Sequence, residues 1–91
     1  MLDIESFKSG ADALAGMLRA GQDEAACYEC GRMLQLLIPF MPQMSADVQG
    51  EMLALSKLLL QCQERHDWFG QCDYLEFELP VLLDRLAAEL S

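Results

Sequence analysis

The chain has 91 residues, 53% of them hydrophobic and 23% charged, with 15 acidic against 6 basic side chains and a net charge of −9. This combination sets one domain as the expected size and excludes a disordered chain, which needs low hydrophobicity together with high charge. It also argues against nucleic acid and anionic membrane surfaces as partners, because binding to either rests on Lys and Arg; a basic or amphipathic polypeptide is the compatible partner.

The opening MLDIESFKSG places an acid at position 3 and no long apolar run, so neither a signal peptide nor a membrane span is expected, and a cytoplasmic location is the default. Apolar residues then recur at intervals of three and four, never in strict alternation, which predicts helices throughout. Ile4, Phe7, Ala11, Leu14 and Leu18 mark a first helix near 3–20, ended by Gly21. Cys27, Cys30, Leu34, Leu37 and Met41 mark a second near 22–40, closed by Pro39 and Pro42. Val48, Met52, Leu55, Leu59, Cys62 and His66 mark a third near 46–66, with Ser45 as its N-cap. Trp68, Cys72, Leu75, Leu79, Leu82 and Leu86 mark a fourth near 68–90, capped by Asp67.

Pro80 falls inside the fourth pattern, where it lacks a donor and crowds the carbonyl of Glu76; a kink, or two helices meeting near Leu79, is expected there. Connections this short favour antiparallel neighbours, so the predicted fold is all-α, an up-down four-helix bundle. An echo at an offset of 41, matching Ala13 to Ala54, Leu14 to Leu55, Leu34 to Leu75 and Pro39 to Pro80, suggests a duplicated helical hairpin.

In such a bundle Cys27, Cys30, Cys62, His66 and Cys72 lie towards one end, all on seam positions. Cys27 and Cys30 are one turn apart, as are Cys62 and His66, so two facing pairs would supply a Cys3His zinc site. Against this, free cysteine packs as a small hydrophobe, and structural zinc sites usually draw one pair from a turn. Core packing is therefore the favoured reading, with reduced thiols and no cofactor; zinc is the alternative. "CYEC" lacks the strand-to-helix setting of a thiol oxidoreductase, and a disulfide across one regular helical turn would distort the backbone. His66 is explained by the helix end it occupies. With one histidine, no glycine-rich phosphate loop and no Glu-x-x-His motif, catalysis is not expected.

Surplus hydrophobicity is the stronger functional signal, since a bundle helix needs about three apolar residues in seven. EMLALSKLLLQC adds Leu53, Leu58 and Leu60 beyond its seam, and RMLQLLIPFMPQM adds Met33, Leu36, Ile38, Phe40 and Met44. Tyr74 and Phe77 fall off the seam of the fourth helix, flanked by Glu76 and Glu78. Met41, Met44 and Met52 gather at the end opposite the cysteines, and methionine suits surfaces that adapt to varied partners as well as it suits core filling. The expected function is that of a non-enzymatic interaction protein that self-associates or holds an amphipathic, basic helix. Its candidate partner-binding residues are Met41, Met44, Met52, Leu53, Leu60, Tyr74 and Phe77.

DWFGQCDYLEFELPVLLDRL, residues 67–86, resembles the ending of small uncharacterised bacterial helical proteins. These carry an aspartate, a "DYLE-aromatic-E-L" run and a leucine-rich tail near a proline. The resemblance covers the last quarter of the chain and implies a helical fold and a bacterial origin. In its small size, acidity and apolar helices the chain is also similar to secretion chaperones of the flagellin-chaperone kind, which implies a chaperone- or adaptor-like role.

Overall fold

The computed structural model describes residues 3–90, and all regular structure within them is helical. Short polar side chains start three of the helices by accepting from backbone N–H groups that have no partner in the first turn. Asp3 accepts from Ser6 at the start of α1 (Ile4–Arg19), and Ser45 accepts from Val48 at the start of α3 (Ala46–Glu64). Asp67 accepts from Gly70 at the start of α4 (Trp68–Asp73). A methyl group at Gly70 would collide with that capping carboxylate, so glycine is what the cap requires. Asp3, expected inside the first helix, is thus its cap. The second helix, α2 (Asp23–Leu37), begins without a side-chain cap but carries Asp23 and Glu24 in its first turn, where negative charge suits the helix dipole.

Prolines decide the remaining boundaries. Pro39 has no N–H to continue the α ladder, so α2 stops at Leu37, and Ile38–Gln43 follow as a 3-10 turn that contains Pro42. Pro80 is handled differently. The backbone stays helical from α4 through a π turn (Tyr74–Glu78) into α5 (Leu79–Leu90), and the Leu79 N–H donates to the Tyr74 carbonyl five residues back. The wider turn sits where Pro80 cannot bond the Glu76 carbonyl.

α1 is the hub, lying against α2, α4, the π turn and α5, while α3 packs on α4, the π turn and α5. Between α2 and α3 there is no comparably extensive contact. Ala11 and Ala15, both fully buried, let α1 approach closely, and the Cys72 thiol reaches the Ala15 carbonyl at 3.5 Å. Leu37, Leu59, Leu75, Leu79, Leu83 and Leu86 are buried outright, each burial stabilising by roughly 1.5–3 kcal/mol. Ion pairs at the surface join the arms: Lys8–Asp84 and Arg19–Glu76 link α1 to the fourth helical run, and Glu51–Arg85 links α3 to α5. No helix among the described residues is long and apolar enough to cross a membrane.

Candidate functional site

The cysteines pack; they do not converge. Cys30, Cys62 and Cys72 are buried and Cys27 is half-buried, all four as free thiols. Burial pushes every one of these thiols above its ordinary range, that of Cys30 up to about 11. Their surroundings differ: Cys30 lies beside the Gln71 amide, Cys62 near Asp67 and Arg65, and Cys72 near Arg19, Glu76 and Asp73. His66 is exposed, held at φ 55° just past the end of α3, with its ring stacked on Trp68 at 5.3 Å. That left-handed step turns the imidazole out of the seam it was expected to share with Cys62. Cys27, Cys30, Cys62 and His66 therefore do not form the zinc site drawn from their spacing. Among the described residues no group of three or more His, Cys, Asp or Glu side chains is placed to hold a metal ion.

Gln71 is the unusual polar group. It is fully buried on α4, and neither its Oε1 nor its Nε2 makes a hydrogen bond of normal geometry. The amide is near enough to the Cys30 thiol to lower its pKa slightly against the larger effect of burial. A spacing rule finds such a residue only as a polar break in an apolar stripe.

The residues expected to bind a partner divide into three groups. Met44 and Met52 are buried and Met41 is half-buried, because Met52 shares the inward stripe of Val48, Leu55 and Leu59 while Met44 closes the core end beside Leu86. Leu53 and Leu60 are exposed at 56% and 53%, two turns apart on the flank of α3 away from α4 and α5. Tyr74 and Phe77 lie on the other side of the α3 packing, half-buried and exposed respectively. They do not make one surface with the methionines.

Two places are recessed, the first lined mainly by apolar atoms and the second by polar and apolar atoms in about equal measure. Between α1 and α2 is a cleft of about 310 Å³ whose walls include Phe7, Met17, Met33 and Leu36, with the Glu29–Arg32 ion pair also along it. Along the seam between α3 and the fourth helical run lie two clefts, of about 310 and 350 Å³. The first is lined by Leu58, Cys62, Arg65, Asp67, Asp73 and Tyr74, among others, and the second by Glu51, Ala54, Glu78, Val81, Leu82 and Arg85. Ala54 and Leu58 are one turn apart, so the two clefts follow each other along α3. Val81, which sequence reasoning passed over, stands 58% exposed one turn beyond Phe77. Its signal was available: it falls off the Leu79, Leu82 and Leu86 stripe.

Comparison with known proteins returns no match to any family model, curated protein or solved structure.

Proposed function

We propose that the chain is a non-enzymatic interaction protein that receives the apolar face of a helical polypeptide along the seam between α3 and the α4–α5 run. The observation that carries this reading is the exposure of Leu58 at 37% and Val81 at 58% in the walls of the two seam clefts, with Phe77, 64% exposed, one turn from Val81. Single exposed leucines are ordinary on a protein surface; an apolar set gathered along a groove is what interfaces present. An up-down course of the four helical arms suits such a track, since it runs α3 and α5 alongside each other over several turns. The buried, protonated thiols and the single histidine stacked on Trp68 favour binding over catalysis. A cytoplasmic bacterial setting, where cysteines stay reduced, agrees with this reading.

Phe77→Asp with Val81→Asp is the direct test. Both residues are exposed, so stability should change by only about 0.5 kcal/mol. Wild-type protein is expected to show either concentration-dependent self-association in analytical ultracentrifugation or binding of an amphipathic helical peptide, and the double variant neither. Association retained by the variant but lost on Leu36→Asp would move the interface to the α1–α2 cleft and overturn the assignment.

A further inference from the structure

We infer that the α3/α4–α5 seam is built for a cationic amphipathic helix of about four turns, in preference to a second copy of this chain. The inference rests on the interaction reading above and names the guest. Length comes first. The α3 residues along the two clefts run from Glu51 to Arg65, which at 1.5 Å per residue is about 21 Å of helix axis. A guest helix of about four turns covers that distance, its apolar stripe meeting Ala54 and Val81 at one cleft and Leu58 and Tyr74 at the other.

Charge then chooses among the guests that fit. Four carboxylates line the track, Glu51, Asp67, Asp73 and Glu78, against two guanidinium groups, Arg65 and Arg85. Arg85 is already bound to Glu51 across the seam, while Asp73 and Glu78 take part in no ion pair among the described residues. The groove therefore sets apolar side chains among a surplus of carboxylates, the complement of a helix with Lys or Arg beside a leucine stripe. A second copy meets this surface badly. A twofold interface sets the same patch against itself, which would bring acid edge to acid edge between chains that each carry a net charge of −9. The α1–α2 cleft has no such preference, because its Glu29 and Arg32 neutralise each other.

The experiment uses the full chain and two fluorescein-labelled 18-residue peptides of one amphipathic pattern, a Leu/Lys helix and a Leu/Glu helix. Binding is read by fluorescence anisotropy at low and moderate salt. The Leu/Lys peptide should bind at least about tenfold more tightly than the Leu/Glu peptide, and more weakly as salt rises. Phe77→Ser with Val81→Ser should cost about tenfold or more, as should Asp73→Lys with Glu78→Lys, whereas Leu36→Ser should change nothing. Asp12→Lys with Glu24→Lys alters net charge equally but away from the seam, and should have the smaller effect. Equal binding of the two peptides would overturn the inference, and so would an equal loss from that distant pair. If neither peptide binds and the chain instead forms a dimer that Phe77→Ser with Val81→Ser dissociates, the cationic guest is refuted while the seam stands as an interface.

Discussion

The first pair of helices and the second make the same turn from different residues. The turn after α1 passes through Gly21 and the turn after α3 through His66, both in the left-handed region, with φ 80° and 55°. In each turn the next residue donates back to a carbonyl five positions earlier, Gln22 to Met17 and Asp67 to Cys62. This is the Schellman arrangement, and glycine adopts it without the roughly 1–2 kcal/mol that a side chain costs there. His66 bears that cost, with its ring stacked on Trp68. The two turns are 45 residues apart, so the sequence echo at 41 does not superpose them. The clefts repeat the contrast: similar volumes, but a neutralised edge in the first pair and an acidic one in the second. Backbone devices recur because helix ends pose one problem; the side chains around them decide what each pair can recognise.

The largest test of that contrast lies where the pairs meet, at Gln71 of α4 beside Cys30 of α2. The two buried amide atoms make no hydrogen bond of normal geometry, the amide only nearing the Cys30 thiol, and an unsatisfied buried group costs about 1–3 kcal/mol. Gln71→Met keeps the shape and removes the polarity, and should raise the free energy of unfolding in urea by about 2–3 kcal/mol. A loss of stability instead would mean that the amide is satisfied by a buried water and holds the pairs together.

Cys30 gives a slightly smaller effect from the other side of the junction. Its folded pKa of about 11 stands above the ordinary 9.0, because burial disfavours the thiolate. For an acid shifted upward, the unfolded chain ionises first, so stability is full below pH 9 and falls as pH rises towards 11. By pH 10.5 the loss from this thiol should reach roughly 2 kcal/mol. Cys27, Cys62, Cys72 and Lys8 are also shifted upward and add to the decline. The measurement is therefore a difference, the fall between pH 8 and pH 10.5 in wild type against Cys30→Ala. An identical fall in the variant would place the alkaline weakness elsewhere.

The turns themselves come next. Gly21→Ala should destabilise by about 1 kcal/mol, because alanine brings a Cβ into the left-handed region. His66→Gly should stabilise by up to about 1 kcal/mol, less whatever the Trp68 stack contributes. Thermal melts of the two variants compare the turns directly. Equal and opposite shifts would show that the stack adds little, and no gain from His66→Gly would show that it offsets the whole cost.

The legible parts of this molecule are those fixed by local chemistry. Apolar stripes located all four helical arms, and Ser45 and Asp67 could be identified as caps because a short polar side chain before an apolar run has one good use. Pro80 pointed to a kink or a junction near Leu79; what lies there is a π turn, which depends on the Leu79 N–H finding the Tyr74 carbonyl. Tyr74 and Phe77 stood off their stripe; Tyr74 lines one of the seam clefts and Phe77 lines neither. Met44 and Met52 misled because methionine on a stripe has the same spacing whether it fills a core or faces a partner. The sparse contact between α2 and α3 has no local signal; it depends on α1 lying between the other arms.

The smallest expected effect concerns how the pairs are held in register. Arg19 at the end of α1 pairs with Glu76 in the π turn, and the hydrogen bond from its guanidinium holds the Glu76 carboxyl below the ordinary value of 4.5. A carboxylate with a lowered folded pKa stabilises above its unfolded value, and that contribution disappears as pH falls through the folded pKa. Glu89, held by Ser45, and Asp3, held by Ser6, act in the same direction. Glu76→Gln should therefore melt lower than wild type at pH 7, with the gap narrowing as pH drops below 4.5 and also shrinking in high salt. A gap that persists at pH 3 would trace the effect to packing of the side chain against α1. The π turn would then be joined to α1 by shape alone, as Ala11 and Ala15 already join that helix to the fourth run.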